Sequence, residues 1–316
     1  MYLKYYLQQL GYSNIPDFLP KYLELSSLKR LKKVGYFCGM DYASIDIYNF
    51  REYISRYDHS LTVCLLTYKL THDKAQALAG LFHDISTPCF SHVIDYMNKD
   101  YENQESTEEY TEKILKQDLK LQEYLKEDNI NIEDIINFKK HTIVDNDRPK
   151  LCVDRIDGII LTGIGWTKDI TLDDIKQIVN DLKVFKNNEG EDEIGFKSLD
   201  TAARVLEVSD NINTYCHSPE DTYMMQLLAN ITKLAIKQKY ITYEDLYNYN
   251  EEELFLTLES KNNPELNKLL DSFYHQELSN IPYFEQPKIK NRTLKPLVNN
   301  QRLSINNITQ TQNNYM

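Results

Sequence analysis

The feature that most constrains this chain is a group of ionisable side chains set where its core has to form. In KAQALAGLFHDISTPCFSHVIDY, residues 74–96, an apolar run of helical period ends in His83-Asp84. A loop of small residues and proline follows, and His92 appears inside the next apolar run. Burying charge without partners costs several kcal/mol, so something must compensate it. Ala79 and Gly80 precede His83 by four and three residues and share its face, which lets a neighbouring helix come close. Two further stretches repeat the conflict. RYDHSLTVCLLTYKL places His59 at the start of an apolar helix, with Val63, Leu66 and Leu70 following at +4, +7 and +11 on the same stripe. KLCVDRIDGIILTG places Asp154 in another largely apolar helix. Two imidazoles and two carboxylates stranded in this way relieve one another if they share a divalent cation, since borderline and hard ions accept such N/O donors. The other His-Asp pair, His72-Asp73 in THDKAQ, falls between two helices, where Asp73 reads as a solvated cap.

Helical periodicity dominates the rest of the chain. Helices are expected over 2–10, 15–32, 60–71, 74–83, 90–98, 105–127 and 132–140. Others are expected over 150–163, 172–183, 198–216, 219–238, 242–247, 250–259 and 264–276. Ser106 with Glu109 three residues on has the spacing of a capping box. Sheet signal is scarce: VFKNNEGEDEIGF, 184–196, reads as a surface hairpin around an Asn/Gly turn. The expected fold class is mostly α, a helical bundle with an additional helical C-terminal region and one small β-hairpin. A single domain is expected over 1–285, with its metal-binding core at about 50–165 and a helical extension at about 198–276. A basic, polar tail, 286–316, is expected to be partly disordered.

Composition narrows the function classes. A chain of 316 residues, 41% hydrophobic, can bury a substantial core. No run approaches the roughly 18 apolar residues of a membrane span, and MYLKYYLQQLGY lacks the layout of a signal peptide. The five cysteines are isolated, without a CxxC pattern, and read as reduced residues of a cytoplasmic protein. A net charge of −12 argues against general nucleic-acid binding. Charge is unevenly distributed, however: Lys288, Lys290, Arg292, Lys295 and Arg302 follow Glu285 with no acidic side chain among them. An acidic body that handles an anionic substrate needs local positive charge, which metal ions or this tail could supply.

The order His59, His83-Asp84, Asp154 resembles the signature of the HD superfamily of metal-dependent phosphohydrolases, and the flanking motifs resemble its deoxynucleoside-triphosphate triphosphohydrolase branch. SRYDHSL is similar to that branch's R-x-x-H-S-L, TPCFSH to P-x-F-S-H, and VDRID to V-D-R-x-D. LDTAARVLEVSDNINTYCHSPEDTYMMQLL is similar to a segment with an Arg, a V-Y-x-H-like element and a Met-rich helix. The resemblance spans roughly 25–260 and implies an HD-domain helical bundle and a small phosphorylated substrate, above all a nucleotide. It also implies one divalent ion or more (Mn, Fe, Mg, Ni or Zn), held by His59, His83, Asp84 and Asp154. Such an ion polarises phosphoryl oxygens and activates water for in-line attack. Homo-oligomers are frequent in the resembled branch, and no membrane partner is implied.

Other residues are candidates for further roles. His92 and Glu105 are the catalytic candidates, His92 as a phosphate contact or second-metal ligand and Glu105 as the group that orients the attacking water or donates a proton. Arg56, Arg155, Tyr215 and His217 are the candidates for substrate contact, Arg56 because its planar fork binds phosphate bidentately. His141 is a weaker candidate ligand, and Lys290 or Arg292 would reach phosphates if the tail folded back. Four positions depart from the branch. Thr87 and Gln104 stand where it commonly has histidines, and Gly158 and Thr162 where it has a Tyr and an Asp that contact sugar. Alternative readings are therefore a nucleotide phosphomonoesterase or phosphodiesterase, a di-iron oxygenase, and a nucleotide-binding regulator with a degenerate site.

Overall fold

The computed structural model describes residues 1–102 and 110–303. The helices α1 (Tyr2–Gln9), α2 (Leu19–Leu23) and α3 (Ser26–Lys29) lead to the pair α4 (Arg56–Thr71) and α5 (Lys74–Phe82). Next come α6 (Val93–Asn98), α7 (Thr111–Gln117), α8 (Leu119–Glu127), α9 (Ile132–Ile136) and α10 (Val153–Gly165). The helix α11 (Leu172–Asp181) runs into the hairpin β1 (Leu182–Lys186) and β2 (Asp192–Phe196). The chain closes with α12 (Leu199–Cys216), α13 (Pro219–Lys237), α14 (Asp245–Asn248), α15 (Glu251–Glu259), α16 (Pro264–His275), β3 (Leu297–Val298) and β4 (Gln301–Arg302). Among the described residues no helix is long and apolar enough to cross a membrane.

Two apolar cores result. The first gathers α1, α4, α5, α10, α11 and α12 with the N-terminal segment; the second gathers α6, α13, α15 and α16 around Phe255 and Phe273. The close approach of α4 to α5 depends on Gly80, because a Cβ there would stand 3.0 Å from Val63 Cγ1 and 3.4 Å from Thr67 Oγ1. Local signals set several boundaries. Ser55 and Asp58 form a capping box at the start of α4, worth about 1 kcal/mol. Asp73 caps α5 by accepting from the Ala75 and Gln76 amides, while His72 ends α4 in a left-handed conformation at φ 54°. The second His-Asp pair is thus a helix junction.

Two expected long helices are broken. The 15–32 segment is interrupted by the extended backbone of Leu25, which separates α2 from α3. Within 105–127, Asp118 is also extended and caps α8 through the Leu121 amide, so α7 and α8 are separate. The expected cap at Ser106 lies outside the described residues.

The expected hairpin forms, with Leu182 opposite Phe196 and Lys186 opposite Asp192, and it is one half of a four-stranded sheet. The other half comes from the C-terminal segment: β3 adds parallel to β2, and β4 pairs back on β3. Arg302 grips Glu193, a fully buried carboxylate on β2, with both terminal nitrogens. Upstream of the strands, Lys290 and Lys295 donate backbone bonds to the carbonyls of Tyr101 and Pro149. The segment expected as a tail is therefore fastened to the body as far as Leu303. The sequence shows only its charge; the acceptors that hold it come from distant parts of the chain.

Candidate metal centre and its cavity

His59 lies in the first turn of α4, His83 directly follows α5, and Asp154 lies in the first turn of α10. His59 Nε2 is 3.1 Å from Asp154 Oδ1 and 3.2 Å from His83 Nε2, and His83 Nε2 is 3.4 Å from the same Asp154 oxygen. Asp84 flanks this trio, its two oxygens 3.8 Å from His59 Nε2 and from His83 Nε2. The far side of each ring decides its tautomer. His83 Nδ1 donates to the Gly80 carbonyl at 2.7 Å, and His59 Nδ1 donates to Asp157 at 2.7 Å. Both Nε2 atoms of the neutral rings therefore turn lone pairs toward each other and toward a carboxylate. That arrangement is repulsive unless a cation lies among them, so the donor set fits a divalent ion.

Electrostatics report the same demand. Burial opposes charging of His83, yet Asp84 and Asp154 outweigh it and raise its pKa to about 10. Burial likewise opposes charging of His59, which Asp154 and Asp157 hold above its ordinary value. Asp84 and Asp154 are driven below the usual carboxylate range: burial works against this, but His83 and Arg56 prevail at Asp84, and His59 and His83 at Asp154. Protons and a metal ion would compete for the same two nitrogens.

Asp157, fully buried one turn beyond Asp154, gathers three donors: Tyr6 Oη at 2.7 Å, His59 Nδ1 at 2.7 Å and Thr62 Oγ1 at 2.9 Å. The sequence signal for it is present, since a carboxylate three residues past Asp154 on an apolar helix also needs partners. Sequence reasoning also missed Asp145, which forms a second cluster of potential ligands with Cys152 and Asp154.

A cavity of about 810 Å³ opens on this group, with His59, His83, Asp84, Asp154, Arg56, His92 and Arg155 in its wall. Arg56 is buried and committed to neighbours: Nη1 donates to Asp84 at 3.0 Å, Nε to Ser91 Oγ at 3.1 Å and Nη2 to the Tyr36 carbonyl at 3.3 Å. It positions Asp84. Arg155 bonds Asp145 at 3.1 Å, Asn146 Oδ1 at 2.7 Å and the carbonyls of Asn146 and Lys150, locking the loop before α10. His92 Nδ1 meets the buried carboxylate of Asp95 at 2.9 Å. The loop carrying His92 is held in a demanding shape, with Phe90 and Ser91 at φ 65° and 45°. Glu251, at the start of α15, fastens it by accepting from the Phe90 amide at 3.1 Å, while its other oxygen accepts from the Gly35 amide at 3.0 Å.

Other candidates fall elsewhere. Glu105 and Gln104 lie outside the described residues. Tyr215 and His217 do not line the cavity; Ser209, Ile212 and Cys216 present that face of α12 instead. Tyr215 packs edge-on against Trp166, and His217 Nδ1 donates to the Asn213 carbonyl at the helix end. His141 bonds the Asp134 carbonyl and is not in the cavity wall. Lys290 and Arg292 do reach the wall, beside Arg148.

Comparison with known proteins agrees with this geometry. Residues 56–160 match the family profile of the HD domain. The chain is also 28% identical over 263 residues to the uncharacterized protein YdhJ of Bacillus subtilis (strain 168), covering 82% of this chain and 76% of that one. Residues 56–160 therefore form an HD domain, and HD domains are in general metal-dependent phosphohydrolases that bind divalent ions. His59, His83 and Asp154 form the cluster here that could hold one.

Proposed function

We propose that this chain is a phosphohydrolase whose substrate is a nucleotide, cleaved at a phosphate ester or anhydride in the manner of a deoxynucleoside-triphosphate triphosphohydrolase. The observation that supports it is one cavity with three kinds of wall, ordered along α10. Arg148, Lys150 and Arg155 cluster around the N-terminal end of α10, with Arg292 bonded to Arg148 through its carbonyl. Asp154 and the two histidines come next. Beyond the C-terminal end, Trp166 packs with Phe37, Tyr48 and Phe50, and Phe37 and Phe50 stack at 4.4 Å.

Each wall has a role in this reading. The cations, aided by the positive end of α10, bind the phosphates. Their crowding is strong enough to matter, because burial and then Arg155 and Arg292 lower the pKa of Arg148 to about 10. An anion would relieve it. The aromatic wall takes the organic group by stacking. His59, His83, Asp84 and Asp154 would hold the divalent ion, which supplies Lewis acidity toward a phosphoryl oxygen and lowers the pKa of water. His92, oriented by Asp95, keeps Nε2 for proton exchange with the leaving group.

The test is incubation with Mn²⁺ and a panel of dNTPs, NTPs and nucleoside monophosphates, identifying products by mass, with Asp154→Ala as the control. Nucleoside plus triphosphate, lost in the variant, is the expected result. Release of single phosphates would make the enzyme a phosphatase, and absence of turnover across the panel would overturn the reading.

A further inference from the structure

The residue one turn past Asp154 on α10 is Gly158, and the space a side chain would fill there is already taken. A Cβ on Gly158 would lie 2.8 Å from the hydroxyl of Tyr36, a residue 122 positions away in sequence. Both line the cavity, as do Asp154 and Thr162, so that Asp154, Gly158 and Thr162 mark one stripe of α10 at four-residue intervals. Tyr36 is held rigidly. Its ring meets Phe37 edge-on at 5.5 Å, lies 5.0 Å from the ring of His59 and carries the Arg56 guanidinium at 4.8 Å. Its amide donates to the Ile54 carbonyl at 2.9 Å. The hydroxyl, by contrast, makes no hydrogen bond to any described residue.

We infer that Tyr36 is a substrate-contacting residue whose hydroxyl, seated over Gly158, donates a hydrogen bond to an oxygen of the organic group next to the scissile phosphate. The placement follows from the helix: one turn advances about 5.4 Å, away from the cations and toward Trp166. A phenol there is a donor at neutral pH, and the acceptor it suits is a sugar-like hydroxyl, ring or ester oxygen. Phosphate alone would not reach it. This inference rests on the phosphohydrolase reading and specifies how that site distinguishes an esterified phosphate from an inorganic one.

Calorimetric titration of the full chain in EDTA with dATP and with inorganic tripolyphosphate tests it without catalysis. Tyr36→Phe keeps the ring contacts and is expected to weaken dATP roughly fivefold to tenfold, the scale of one hydrogen bond, with tripolyphosphate unchanged. Gly158→Ala, which crowds the hydroxyl, should weaken dATP in the otherwise native chain and add nothing in Y36F. If Y36F binds dATP like the native chain, or weakens both ligands equally, the inference is overturned while the phosphohydrolase reading stands. If the native chain binds neither ligand, this inference is overturned, while the phosphohydrolase reading stands or falls by the Mn²⁺ panel.

Discussion

Asp157 controls the centre without touching the position an ion would take. Its carboxylate accepts from His59 Nδ1, Tyr6 and Thr62 together, so it fixes both the ring orientation of His59 and the tautomer that frees Nε2. Asp157→Asn places an amide NH₂ among three donors and removes one acceptor. The expected result is a metal affinity lower by about ten- to a hundredfold, as is usual for partners behind a ligand histidine, read by competition with a chelating dye. Unchanged affinity would mean that His59 is oriented by other groups. At this scale the sequence was informative about His59, His83, Asp84 and Asp154, because each is a polar residue set within or at the end of an apolar helical run. It was silent about Tyr36, since a tyrosine in KVGYFCG carries no conflict that periodicity can reveal.

Elements bring in a second kind of dependence. The loops that carry Tyr36 and His92 lie before α4 and after α5 in the chain and meet at Glu251, whose two oxygens accept from Gly35 and Phe90. Burial lifts the Glu251 pKa from 4.5 to about 8. Below about 4.5 folded and unfolded chains are both protonated there. Between 4.5 and about 8 the unfolded chain loses the proton and the folded chain keeps it, so stability falls as pH rises through this window. The total is on the order of several kcal/mol. His83, raised to about 10, adds a loss of the same sign in metal-free protein. The informative quantity is therefore the difference between native protein and Glu251→Gln, by urea unfolding in EDTA at pH 5 to 8. The variant should be less stable at pH 5, where it loses an acceptor, and should show a flatter decline. Parallel slopes would remove Glu251 as the source. Helix existence was legible in the sequence, but the breaks at Leu25 and Asp118 were not, because an extended residue inside an apolar pattern leaves the pattern intact.

For the molecule as a whole, the question is how the C-terminal segment joins the site. It crosses from Tyr101 to Pro149, passes Lys290 and Arg292 along the cavity wall, and its last described residues form β3 against β2 and β4 against β3. Removal of residues 286–316 should weaken tripolyphosphate binding about tenfold or more at low salt and reduce its salt dependence, since fewer cations would face the anion. A truncated chain with native affinity would confine phosphate binding to Arg148, Lys150 and Arg155. Loss of folding would be distinguished by Arg302→Ala, which loosens the latch on Glu193 while keeping every cavity cation.

By itself the sequence determined the helical class, the hairpin at 184–196 and the four stranded polar groups. Each is a local signal, written in periodicity, capping residues or charge within a few positions. Tertiary structure alone decided which of those groups meet, that α12 turns Ile212 and Cys216 inward in place of Tyr215, and that Tyr36 fills the space over Gly158. These depend on helix phase and on contacts between residues 24 to 122 positions apart, where close packing selects one partner among many chemically equivalent ones.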